Sequence, residues 1–156
     1  MTGDSRSNPA LTVTWRQATE IVAHATTAHP NEACGLLGGR EGSVERVYPL
    51  PNAEQSPVRY LAEPQAQVDA MLDIEERRRE LVGIYHSHIN EPAYPSPRDV
   101  AMAAYPDAIH LIVSLVNGKP PALGAFRIRD GEIEEVSLEI ERPDPVEGDG
   151  ESTCLD

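Results

Sequence analysis

The chain has 156 residues, which gives room for one domain with one core and little more. Its 26 acidic residues against 13 basic leave a formal charge of −13, which argues against nucleic acid or an anionic membrane surface as a partner. No run approaches the ~20 apolar residues of a membrane span, and Met1 to Ala10 lacks the apolar core of a signal peptide, so a cytoplasmic protein is expected.

Residues 1–10 are polar and are expected to be disordered. Leu11 to Thr14 predicts a short strand, followed by a helix over Trp15 to Ala28 in which Trp15, Ala18, Ile21, Val22 and Ala25 recur at helical spacing. Thr14 suits the N-cap, and His29-Pro30-Asn31 ends the helix. Gly35 to Gly39 and Val44 to Leu50 read as a hairpin joined by a turn at Arg40 to Ser43. Pro51 to Pro57 is a loop and Val58 to Leu61 an extended segment. Glu63 to Glu80 predicts a second helix, whose acids precede Arg77, Arg78 and Arg79 at the three- and four-residue spacing of an exposed helix face.

Leu81 to His88 reads as a buried strand, and the proline-rich segment Ile89 to Pro97 as a loop. A short helix over Arg98 to Ala104 precedes the most apolar strand of the chain, Ile109 to Leu115. Leu123 to Arg129 and Glu132 to Ile140 predict a closing hairpin around Asp130-Gly131. Residues 141–156 hold six acids and one arginine among prolines and glycines, the composition of a flexible acidic tail. Interleaved strands and helices predict a single α/β domain over residues 11–140 around a mixed sheet.

The chemistry concentrates in His86-Ser87-His88. On a strand, residues i and i+2 share a face, so both imidazoles project together where the strand gives way to a loop. Two imidazoles suit zinc, and Asp99, eleven residues on, offers the carboxylate that completes a three-ligand catalytic site with one open position. Glu32, at the mouth of the Gly35–Gly39 strand, is the candidate general base, because that strand is expected to neighbour Leu81–His88. Ser96 is the candidate hydroxyl for the developing oxyanion. Each residue also has a plainer reading: Ser96-Pro97-Arg98-Asp99 is a good helix start, and Glu32 alone would be a surface acid. The joint spacing favours the site.

These residues spell a known pattern: Glu32 upstream, then His86-Ser87-His88, seven residues, Ser96, two residues and Asp99. The run resembles the JAMM (MPN+) signature, and "HPNEACGLLGG", "NAEQSP" and "GIYHSHINEPAYPSPRDV" resemble its small prokaryotic members over about residues 12–140. The resemblance implies a curved mixed sheet flanked by helices, related to the cytidine-deaminase architecture. It implies one catalytic zinc ion on His86, His88 and Asp99, with Glu32 and Ser96 catalytic. It further implies hydrolysis of a peptide or isopeptide bond after the Gly-Gly terminus of a ubiquitin-like or sulfur-carrier protein. Within the family, the motifs resemble the actinobacterial members that free cysteine from such a carrier. The alternatives are a non-catalytic MPN-type binding scaffold, whose relatives usually lack the ligands, and a zinc hydrolase of a small amide. A substrate tail is expected to bind by strand addition in a groove bordered by the Pro51–Pro57 and Ile89–Pro95 loops.

The remaining candidates are assigned to structure. Cys34 reads as a buried small residue, and Cys154 falls in the tail. His24, His29 and His110 read as structural or exposed, Tyr85 as core or groove lining, and Tyr94 and Tyr105 as packing aromatics.

Overall fold

The computed structural model describes residues 9–143. The expectations for the first eight residues and for the tail beyond residue 143, Cys154 included, lie outside that range. The elements run β1 (Leu11–Thr14), α1 (Trp15–Ala28), β2 (Cys34–Arg40), β3 (Ser43–Leu50), α2 (Pro64–Glu76), β4 (Glu80–His88), α3 (Pro97–Ala101), β5 (Ile109–Ser114), β6 (Ala122–Arg129), β7 (Glu132–Glu135) and β8 (Leu138–Glu141). They build one mixed sheet of eight strands in the order β7-β6-β5-β4-β2-β3-β1-β8.

Local chemistry sets most of these boundaries. Thr14 caps α1 through a reciprocal box: its hydroxyl accepts from the Gln17 N–H at 3.0 Å, and the Gln17 side chain accepts from the Thr14 N–H at 2.9 Å. The β6–β7 turn is Asp130-Gly131, both with positive φ (50° and 79°), the geometry that keeps a two-residue hairpin in step with the sheet twist.

Several expectations change. The short helix is Pro97–Ala101, not Arg98–Ala104, and Ala10 and Glu141, read as part of the disordered N-terminus and the tail, are bonded into the sheet. The second helix starts one residue later than read, with Glu63 as its N-cap, and stops at Glu76 rather than Glu80. Arg78 has φ 58°, and the Arg77 and Arg78 carbonyls accept from the Arg40 guanidinium at 3.0 and 3.2 Å, so the arginine run is a turn clamped from outside. Only the Asp73–Arg77 pair, at 2.9 Å, follows the helical spacing. Val58 to Leu61 is loop, because Asn52 and Ala53, not a neighbouring strand, occupy the polar groups of Leu61. The last strand is two strands. Val136 still donates to Ala125 of β6, whereas the Ser137 carbonyl accepts from Ala10 and Leu11, and β8 pairs in parallel with β1. Two residues therefore join the opposite edges of the sheet, which must curl round on itself to allow it.

The two faces of the sheet are packed separately. Leu11, Ile21, Leu37, Tyr85, Leu111 and Val113 belong to a cluster under α1. Leu36, Tyr48, Ile74 and Ile84 form a second cluster with α2. Adjacent residues thus serve opposite clusters, Leu36 against Leu37 and Ile84 against Tyr85, as the two-residue repeat of a strand requires. His24 belongs to the first layer: its Nδ1 lies 2.6 Å from the Tyr85 hydroxyl, which makes both residues structural.

Gly35 faces Tyr85 across the β2–β4 ladder, and a methyl group on it would fall inside the tyrosine ring. Tyr85 is fully buried and tied to His24, so it has nowhere to turn. Gly35→Ala is therefore expected to destabilise the protein by about 3 kcal/mol or more. Urea denaturation measures this, and an unchanged midpoint would show that the ring yields freely.

Candidate metal centre

The face of β4 that carries Ile84 continues into His86 and His88, so the strand places both imidazoles on the α2 side of the sheet. Both are buried, at 1% and 2% exposure. The residue between them, Ser87, extends the β2–β4 pairing beyond its last register pair, Cys34–His86. Its N–H donates to the Ala33 carbonyl at 3.0 Å, and its hydroxyl accepts from the Ala33 N–H at 2.8 Å. Glu32 is thereby fixed at the histidine end of the ladder. Asn52 secures it from the other side, donating to the Glu32 carbonyl at 3.0 Å, while the Glu32 N–H donates to the Ser56 carbonyl at 2.8 Å.

Asp99 arrives from α3. Ser96 caps this helix: its hydroxyl accepts from the Asp99 N–H at 3.1 Å, and its own N–H donates to Asp99 Oδ2 at 2.9 Å. The capping box that reads as a structural alternative in the sequence is thus the device that aims the carboxylate. His86 Nε2 and His88 Nε2 lie 3.2 Å apart, and Asp99 Oδ2 stands 3.2 and 3.0 Å from them. The triad is the metal-ligand group found among the described residues.

This donor set fits a divalent ion. A tetrahedral ion with bonds of 2.0–2.1 Å spaces its ligand atoms by about 3.3 Å, close to the separations seen. His88 Nδ1 sits 2.8 Å from the Pro92 carbonyl, so it carries a proton and donates, which orients the ring and turns Nε2 toward Asp99, the atom a metal would take from the neutral ring. His86 Nδ1 is buried without a hydrogen-bond partner, and this ring is held by stacking on Tyr60, with centroids 4.7 Å apart. Two imidazole nitrogens and a carboxylate oxygen at this spacing each offer one atom to a shared cation.

Burial works to raise the Asp99 carboxyl, but in the metal-free protein, where the imidazoles can carry the proton, contacts with His86 and His88 and the hydrogen bond from the Ser96 N–H outweigh it and hold the group well below the usual carboxylate range. Glu32 goes the other way. At 5% exposure its pKa is pushed up to about 7, by burial first, with the Asp99 and Glu91 charges adding to the effect and the His88 and Arg98 charges opposing it. Cys34 shares that environment: burial and the nearby Glu32 charge push its thiol up to about 12, which leaves it a packed residue and no nucleophile.

The structure therefore brings Glu32, His86, His88, Ser96 and Asp99 to one place. A family model described as "Prokaryotic homologs of the JAB domain" matches residues 16–129. The chain is a prokaryotic JAB-domain protein. A CysO-cysteine peptidase of Mycobacterium tuberculosis is 41% identical over 122 residues, covering 77% of this chain and 84% of that protein. A desampylase of Pyrococcus furiosus is 33% identical over 111 residues, covering 70% and 76%. A solution structure from Desulfitobacterium hafniense matches this JAB domain with a TM-score of 0.77 at 39% identity, covering 85% of this chain and 94% of that one. A JAB1/MPN domain protein from Archaeoglobus fulgidus shares the fold, with a TM-score of 0.57 at 22% identity over 83% and 96%.

Some of the supporting residues escaped the sequence reading. Ser87, Asn52 and Tyr60 hold the JAB site through contacts distant in sequence, the Pro92 carbonyl holds His88 from four residues on, and only the flanking histidines drew attention to Ser87. Of the loops expected to border the groove, Pro51–Pro57 holds Glu32 through Asn52 and Ser56, and Ile89–Pro95 holds His88 through the Pro92 carbonyl. β4 lies between β2 and β5 in the sheet. A cavity beside the triad is lined by residues 59–62, Arg98, Asp99, residues 102–105, Leu50, Gln67 and parts of β2, β4 and β5. Tyr94 packs edge-on against Phe126, and Tyr105 borders the cavity.

In the metal-free protein Glu32 keeps its proton up to about pH 7, whereas the unfolded chain releases it near 4.5. The folded state then holds the extra proton between these values, so stability falls as pH rises through this window. Glu32→Gln removes that loss. Its gain in melting temperature over the parent should be small at pH 4.5 and large at pH 8. Equal gains at both pH values would contradict burial as the cause.

Proposed function

We propose that this protein is a zinc-dependent hydrolase that cleaves the amide bond after the C-terminal Gly-Gly of a ubiquitin-like or sulfur-carrier protein. The observation that carries the reading is the convergence of His86 Nε2, His88 Nε2 and Asp99 Oδ2 to within 3.0–3.2 Å of one another, with Glu32 buried beside them. The printed activities of the relatives, a CysO-cysteine peptidase and desampylases, support the substrate class.

In this reading His86, His88 and Asp99 hold the zinc. When bound, zinc supplies a Lewis acid and makes the attacking water more acidic. Glu32 takes the proton of that water and passes it to the leaving amine. Its raised proton affinity suits a group that must both accept and return a proton near neutrality. The Ser96 hydroxyl accepts from the Asp99 N–H, and its own proton stays available for the oxygen that gains charge. No helix among the described residues is long and apolar enough to cross a membrane.

Three variants separate the roles. Glu32→Gln is expected to retain zinc and lose nearly all turnover, and His88→Ala to lose both. Ser96→Ala should retain zinc with turnover reduced by roughly 10²–10³-fold. Removing this cap also costs about 1 kcal/mol of helix stability. Turnover of a Gly-Gly-fused substrate, measured against zinc content in each variant, is the check. Normal turnover by Glu32→Gln would remove it from the base role.

A further inference from the structure

The face of the sheet that carries His86 and His88 continues onto β5 and β6. Ser114 is the register partner of His88, while Gly124 and Phe126 pair with Ile112 and His110, so all of them share that face. Residues 91–94 cross its end as a strap, and each of the four is engaged. The Glu91 carbonyl accepts from the hydroxyl of buried Ser114 at 2.5 Å. The Pro92 carbonyl accepts from His88 Nδ1 and from the Tyr94 N–H, both at 2.8 Å. The Ala93 carbonyl lies against Gly124, where an added Cβ would stand 2.7 Å from it and 2.8 Å from the Phe126 ring. The Tyr94 ring meets Phe126 edge-on, with centroids 5.3 Å apart.

These seats bear on the triad through a single atom. The Glu91 carboxylate, 3.7 Å from His88 Nδ1 and more than half exposed, is beyond hydrogen-bond reach. The direction of the His88 ring therefore falls to the Pro92 carbonyl. A main-chain oxygen cannot turn aside alone, as the end of a side chain can. Its position is that of the strap, and the strap's height is set by what lies beneath it. Gly124 admits the neighbouring carbonyl only because it has no Cβ, and Ser114 ties down the carbonyl on the other side of Pro92.

We infer that Ser114 and Gly124 are positioning residues for His88: they seat the strap that keeps His88 Nε2 beside Asp99 Oδ2, and so set how tightly the triad holds zinc. This rests on the zinc reading above and names what fixes one of its ligands. Neither residue supplies a ligand atom, and both act through the Pro92 carbonyl. Tyr94 belongs to the same device, because its N–H and its ring fix the far end of the strap.

The test uses the full chain and measures its zinc dissociation constant by competition with a chelator, beside the melting temperature of the metal-free protein. Gly124→Ala is expected to weaken zinc binding by roughly ten- to hundredfold. Ser114→Ala and Tyr94→Ala should weaken it in the same direction by smaller factors, at sites where no backbone clash is introduced. Ile21→Val, in the core under α1, is the control: it should lower the melting temperature and leave zinc affinity at the parent value. A second readout needs no metal. The His88 Nδ1 proton, followed by proton–nitrogen NMR, should exchange slowly with solvent in the parent and faster in the three strap variants. Parent affinity in all three, or an equal loss in Ile21→Val, overturns the positioning role and leaves the zinc reading standing. A parent that takes up no zinc, with exchange still faster in the variants, overturns the zinc reading and leaves the strap's hold on His88. No zinc uptake with equal exchange overturns both.

Discussion

The site depends on how the β2–β4 ladder ends. Past Cys34–His86 the two strands stay joined through Ser87, which meets both polar groups of Ala33. The exchange does two things together. It keeps β4 extended through His88, so that His86 and His88 share a face, and it holds the neighbouring glutamate against them. A buried N–H that loses its partner costs on the order of 1–3 kcal/mol, which gives this pairing weight in a fold of marginal stability.

Around that ladder the site is assembled by caps and carbonyls more than by side chains bonded to one another. Asp99 is aimed by its own helix cap, His88 by a proline carbonyl, and Glu32 by Asn52. Each of these partners is an ordinary turn feature that lies next to the triad or to Glu32. Such an arrangement fixes direction without adding titratable groups, so the charge of the site rests with the triad, Glu32, Glu91 and Arg98.

Much of this was legible in the sequence, for physical reasons. Thr14 with Gln17, and Asp130 with Gly131, carry local chemistry that needs no tertiary context. His86 and His88 were readable because strand parity is strict, and Asp99 because the cap that orients it lies three residues away. Glu32 required a guess about strand neighbours, which the β2–β4 register supplies. The contacts of Asn52, Tyr60 and Ser87 were not readable, since each reaches across tens of residues or bonds to backbone. The split of the last strand had left a trace. Ile133 is odd in the two-residue repeat, whereas Val136, Leu138 and Ile140 are even, and the latter three pack on the α1-side core. A change of parity within one apparent strand marks a change of partner.

That split has a further effect on how the molecule behaves in company. A mixed sheet has two outer strands whose unpaired amides and carbonyls invite pairing with another chain. Here both are the last strands among the described residues, four residues each, and glutamates occupy Glu132, Glu134, Glu135, Glu139 and Glu141. Two sheets approaching rim to rim would bring like charges together along short ribbons. The same turn of chain that closes the fold thus also places acidic side chains along both of its rims.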